Sequence, residues 1–320
     1  MKMQLIGAAL GAGAQDQRTS MAPASLQERG LINALKQRGL DPEDFTILSP
    51  LGKASYLEAL PLITEFNRRL AAKVTAAQLR GDFPVVLGGD HSIAMGTWSG
   101  VAAAMPGDLG LIWIDAHMDA HTTKTSETGA VHGMPLSALL GWGEPSMSQI
   151  ASPKTKIKPE NLCLLGVRSF EKGEARLLKD LGVRIYMIDE IEIRGFQTCL
   201  REAHQRVTQT TASFGVSFDL DALDPAHFPS VGSPVERGLG FEAVKRGLIE
   251  IAADSRLTAL EIVEYNPSLD ETGLSAFMVF DLLASTLLSR RDAEMANLRT
   301  AMGTQARAPA PCRGAALLLP

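Results

Sequence analysis

Cysteine is scarce in this 320-residue chain: Cys163, Cys199 and Cys312 are odd in number and far apart. That excludes a disulfide framework, and with no C-x-x-C or finger-like spacing it excludes a cysteine-built metal site. A reduced, cytoplasmic setting is expected. Positive charge is not in excess either, since a net charge of -5 leaves no basic footprint for nucleic acid. No apolar run approaches the roughly 20 residues that cross a bilayer, so no membrane partner is expected. The opening Lys2 and LIGAALGAGA resemble a short signal peptide, but Gln4 and three glycines dilute its apolar region. A first strand and a Gly-rich turn are expected there instead.

What the chain does have is alternation. Apolar runs of strand length fall at 3–10, 45–48, 83–87, 111–114, 162–167, 183–188, 214–218 and 257–263. Between them, helical periodicity covers 25–38, 57–79, 92–105, 135–140, 174–181, 193–209, 242–253 and 275–288. That rhythm predicts an α/β fold with a parallel sheet covered on both faces. Residues 142–159 read as surface loop. Beyond about Arg290 the chain turns Ala-, Arg- and Pro-rich, so 1–302 is expected to be one domain and 303–320 a flexible tail.

Chemistry concentrates in the stretch Leu111 to Pro135. The run Leu111-Ile112-Trp113-Ile114 suits a buried parallel strand. Asp115, His117 and Asp119 follow at alternate positions, and alternate side chains of extended backbone point one way. Three candidate metal ligands therefore face one point beyond a strand's carboxyl end, where α/β sheets place their sites. Two other strand ends supply more: Gly88-Gly89-Asp90-His91-Ser92 offers His91, and Ser217-Phe218-Asp219-Leu220-Asp221 offers Asp219 and Asp221. Glu264 is a further candidate.

Two imidazoles and four carboxylates without cysteine make a nitrogen/oxygen site, suited to manganese, zinc or iron and to manganese in particular. Six ligands are too many for one tetrahedral zinc. They suffice for two ions with bridging carboxylates; two-metal hydrolases hold their ions roughly 3.5–4 Å apart.

The ordered set G-G-D-H-S, D-A-H-x-D, H-G-M-P and S-F-D-x-D-x-x-D-P resembles the ureohydrolase family of arginases, agmatinases, guanidinobutyrases and formiminoglutamases. The resemblance implies a three-layer α/β/α domain around a central, mostly parallel eight-stranded sheet. It also implies two manganese ions per chain, hydrolysis of a guanidinium group, and a homo-oligomer, trimer or hexamer. Carried over by position, it assigns one ion to His91, Asp115, Asp119 and Asp219, and the other to Asp115, His117, Asp219 and Asp221. His132 matches the family's proton shuttle, and Glu264 its guanidinium-binding carboxylate. Asp119 belongs to the catalytic set as well as to the ligands.

In the family this chain resembles, the loop between His117 and His132 selects the substrate. Arginases commonly place an Asn where this chain has His121, and a Ser where it has Thr128; together these receive the amino-acid carboxylate. Glu171 and Glu174 match acids near the α-amino group, with Glu171 standing where arginases usually have Asp. L-Arginine, giving ornithine and urea, is therefore the expected substrate. Agmatine lacks the carboxylate, and guanidinobutyrate lacks the amine, so the two glutamates would oppose it. A deacetylase-like hydrolase is disfavoured because no two histidines are adjacent. A catalytically silent metal-binding regulator is disfavoured by the intact His132 and Glu264.

Overall fold

The computed structural model describes residues 2–305. Short runs rich in Val, Ile, Leu and Phe form β1 (Met3–Ala8), β2 (Phe45–Leu48), β3 (Phe83–Gly88), β4 (Leu109–Ile114), β5 (Ile157–Val167), β6 (Arg184–Met187), β7 (Ser213–Asp219) and β8 (Leu257–Val263). They pair in one sheet, ordered β2-β1-β3-β8-β7-β4-β5-β6. Every neighbouring pair is parallel, so the sheet is wholly rather than mostly parallel.

The helices are α1 (Ala22–Glu28), α2 (Leu31–Gln37), α3 (Leu60–Leu79), α4 (Ala94–Ala104), α5 (Pro135–Leu139), α6 (Pro145–Ser148), α7 (Lys172–Asp180), α8 (Ile188–Arg194), α9 (Phe196–Val207), α10 (Phe241–Ala252) and α11 (Leu274–Gln305). They cover both faces, and the twofold alternation of strand side chains decides which core each residue joins. Ile112 and Ile114 of β4 enter one core, with Leu35 of α2, Leu200 of α9, Leu248 of α10 and Leu283 of α11. Leu111 and Trp113 enter the other, with Phe66 of α3, Trp98 of α4 and Leu136 of α5. All residues of β3, β4 and β7 are buried, as a doubly covered sheet requires.

Three expectations needed correction. The single helices expected over 25–38 and 193–209 are each broken, at Gly30 (φ 90°) and Gly195 (φ 83°), whose left-handed backbone ends a helix at little cost. The loop expected over 142–159 contains α6 and the start of β5, which runs beside β4 from Ile157. The last helix continues past 288 to Gln305. Residues 303–305 of the expected tail thus end α11, and 306–320 lie outside the described residues. Among the described residues, no helix is long and apolar enough to cross a membrane.

Candidate metal centre

The four strands at the middle of the sheet, β3, β8, β7 and β4, end side by side. The turns leaving them carry His91, Glu264, Asp219 with Asp221, and Asp115 with His117 and Asp119. Two of these turns are self-capped 3-10 turns: Asp90 accepts the Ser92 N–H, and Asp219 accepts the Asp221 N–H. Asp119 (φ 48°) and Glu264 (φ 66°) both have left-handed backbone, a strain that persists where surrounding structure over-determines it.

His91 is the centre of the first ligand set. Its Nδ1 lies 3.2 Å from Asp115 Oδ2, 3.0 Å from Asp119 Oδ2 and 3.0 Å from Asp219 Oδ2. The tautomer follows from the other ring nitrogen. Ser217 Oγ donates to Glu261 Oε1 at 2.7 Å, which leaves it to accept from His91 Nε2 at 2.9 Å. In the neutral ring Nδ1 is then a bare lone pair, buried and without a hydrogen-bond partner, among three carboxylate oxygens. Such a set is repulsive unless a cation sits in it.

Titration behaviour carries the same message. Burial, then the charge of Asp115, pushes Asp119 up to about 6; burial, then Asp221 and Asp115, pushes Asp219 well above the carboxylate range. Burial favours a neutral His91 ring, yet the facing carboxylates lift it well above the usual value. The residues fit divalent metal.

Asp115, His117 and Asp221 form a second, overlapping set, with His117 Nδ1 3.0 Å from Asp221 Oδ2 and 3.5 Å from Asp115 Oδ1. Asp115 is common to both sets. Asp219 converges with the first set only. Asp115 is further held by Trp113 Nε1, which donates to Oδ2 at 2.8 Å, while the Trp113 ring stacks on His91 at 4.1 Å.

The open side of the centre is a cavity of about 210 Å³ lined by His117, Asp119, His121, Thr128, His132, Glu171 and Glu174. It adjoins a second, of about 220 Å³, that reaches Glu264; Thr128, Ala130, His132 and Ser233 border both. His132 Nδ1 lies 3.3 Å from Glu264 Oε1, and its backbone N–H donates to Gly13 O at 3.1 Å. Burial alone would lower the His132 pKa; Glu264, Asp119 and Asp90 hold it up to about 9.

At the far end, Glu171 and Glu174 form a capping box on α7. Glu174 accepts the N–H groups of Ala120 (3.1 Å) and Glu171 (3.0 Å), and burial pushes it up to about 8. His121 Nε2 lies 2.6 Å from Glu171 Oε2 and 3.5 Å from Glu174 Oε1. Thr128 keeps its place on the cleft wall, its Oγ1 accepting the Ala130 N–H.

All the residues singled out from the sequence thus gather at one end of the sheet. Several partners escaped that reading. Ser217 and Glu261 set the His91 tautomer, but within their strands they read as an ordinary small residue and an unexplained acid. Arg168 donates to the carbonyls of Asp221, Ala222, Leu223 and Val235, fixing the turn behind Asp221. Only its place after a strand hinted at this. Ser233 lies in a stretch without any pattern.

Comparison with known proteins agrees with this architecture. The Arginase family model matches residues 1–289. An arginase of Bacillus caldovelox is 38% identical, the match covering 88% of this chain and 97% of that one. One from Brevibacillus brevis is 35% identical, covering 88% and 96%. The crystal structure of a Bacillus subtilis arginase superposes with a TM-score of 0.84 at 33% identity, covering 90% of this chain and 98% of that one. With its wholly parallel sheet and paired His/Asp ligand sets, the chain belongs to the arginase family of ureohydrolases.

Proposed function

We propose that the chain hydrolyses L-arginine to L-ornithine and urea, using two manganese ions. The observation that carries this reading is the pair of overlapping ligand sets sharing Asp115, with His132 and Glu264 at their edge. His91, Asp115, Asp119 and Asp219 would hold one ion, and Asp115, His117 and Asp221 the other, with Asp115 shared. When bound, such a pair supplies Lewis acidity and lowers the pKa of water. Carboxylate-rich ligand sets favour manganese.

The chain's own residues do the rest. Glu264 has one oxygen tied to the His91 backbone and the other, Oε2, buried without a partner. That free oxygen takes the planar guanidinium cation, for which a carboxylate is the matching acceptor. His132, held at Nδ1 by Glu264, has Nε2 left to pass a proton to the departing amine. Asp119 orients the cluster from its strained turn. At the far end Glu171 and Glu174 face the α-ammonium, and Thr128 with His121 borders the α-carboxylate.

Residues 1–302 form one domain in this reading, because the site draws on positions from 91 to 264. A cytoplasmic homo-oligomer, trimer or hexamer, completes it; the buried free thiols Cys163 and Cys199 suit a reducing compartment. The test is urea release by the manganese-loaded protein with L-arginine, agmatine and 4-guanidinobutanoate at equal concentration. Arginine is expected to give the highest kcat/KM, and a higher value for either other compound would overturn the assignment.

A further inference from the structure

The second ligand set, Asp115, His117 and Asp221, draws on turns that leave two different strands, β4 and β7. A residue of neither strand holds both turns. Arg168 follows β5, and its backbone N–H donates to Ala116 O at 2.9 Å, between Asp115 and His117. Its guanidinium reaches the other turn. Nη2 donates to Asp221 O at 2.8 Å and Leu223 O at 3.3 Å, and Nη1 donates to Ala222 O at 3.2 Å. The same group ties that turn to the returning loop that carries Ser233. Nη2 donates to Val235 O at 2.8 Å, and Nε donates to Glu236 O at 2.9 Å. The loop closes on the turn once more at Leu239, whose N–H donates to Ala222 O at 2.8 Å.

A planar fork of N–H donors thus collects carbonyls from the Asp221 turn and the Ser233 loop, a span that a compact ammonium with three donors does not match. Burial works against the charge of Arg168, and the acids that offset it are Asp221, Asp115, Asp224 and Asp219. The first ligand set is anchored by other means. His91 is held by Glu264 at its backbone N–H (2.9 Å) and by Ser217 at Nε2 (2.9 Å). Asp115 is held by Trp113, and Asp219 is still within β7, opposite Val263 of β8. We propose that Arg168 is a positioning residue for the second ion. Its side chain sets Asp221 against Asp115 and His117, so occupancy of that position depends on it and occupancy of the His91 position does not. The inference rests on the proposed pair of ions. Because the same fork holds Val235 and Glu236, filling the second position also steadies the loop that brings Ser233 to the cleft wall.

The experiment follows manganese binding to the full chain by metal analysis over a range of free manganese, for wild type, Arg168→Lys and Arg168→Met. Both variants keep the backbone bond to Ala116, and the lysine also keeps the charge. The wild type should take two ions. In both variants the first equivalent should bind as in wild type. The second should need about 10–100-fold more manganese, the usual cost of losing an outer partner of a metal ligand. An unchanged second equivalent in either variant, or an equal loss of both equivalents, overturns the inference. Should neither variant fold, amide exchange in the wild type decides. The second equivalent of manganese should slow exchange in 220–223 and 235–239 together, and protection of the turn without the loop overturns the inference. Two ions in wild type with unaffected variants sinks this inference alone. A wild type that takes only one ion sinks the two-ion reading, and this inference with it.

Discussion

The Glu264 carboxylate accepts the backbone N–H of His91 at 2.9 Å. In return, the Glu264 N–H donates to Gly89 O at 2.9 Å. The acid assigned to the guanidinium is therefore hung on the turn that carries a candidate metal ligand, and neither can shift alone. Glu264→Gln keeps an acceptor for His91 but removes the charge. Hydrogen bonds to charged groups are worth about 1.5–3 kcal/mol. A fall in kcat/KM of roughly tenfold to a hundredfold is expected, with two metal ions retained. Loss of metal in this variant would show that Glu264 has a different task.

Asp115 joins both ligand sets and Asp221 only one. Asp115→Ala should therefore bind little manganese at either position, whereas Asp221→Ala should keep about one equivalent. Metal analysis after dialysis distinguishes the two. Equal losses would contradict the shared role of Asp115.

His132 stands outside both sets and touches Glu264. His132→Ala should keep its two ions and lose activity by about 10²–10⁴-fold, the usual contribution of a general acid or base. Simultaneous loss of metal would make it a ligand.

Far from the site, Asp281 of α11 joins Arg38, just after α2, and Lys245 of α10. Burial opposes its charge, but Lys245 and Arg38 hold its carboxyl below the usual range. A carboxyl lowered on folding stabilises the protein above its unfolded value of about 3.9 and loses that effect as pH falls through the folded value. Asp281→Asn should cost about 0.2–1 kcal/mol at neutral pH, as exposed pairs do. The difference from wild type should shrink as pH falls below about 3.9 and disappear once the folded carboxyl is protonated. Urea unfolding of the metal-free protein as a function of pH checks this, and a gap that does not shrink in acid would refute it.

The ligands were legible because their signal is local. Asp115, His117 and Asp119 need only extended backbone after an apolar run, and the same pattern recurs at Asp219 and Asp221. Glu264 and His132 became legible through resemblance, since their meeting depends on a contact between residues 132 positions apart. The helix breaks at Gly30 and Gly195 were not read, because an isolated glycine is tolerated within a helical pattern. The pairing of His121 with Glu171 was out of reach. A side chain that can donate to a substrate looks the same in sequence as one that donates to its own protein.

The strand order has one more consequence. Remove β8, and the sheet falls into two pieces, β2-β1-β3 and β7-β4-β5-β6, with no other pairing between them among the described residues. His91 rides on the first piece, while Asp115, Asp119 and Asp219 ride on the second. During synthesis, every strand but the last is made before the two halves can be joined edge to edge. An ion held by the His91 set would act as a rivet across that seam, and one held by the His117 set would not. Chelation should loosen the protein along β8 before anywhere else, visible as early amide exchange in residues 257–263.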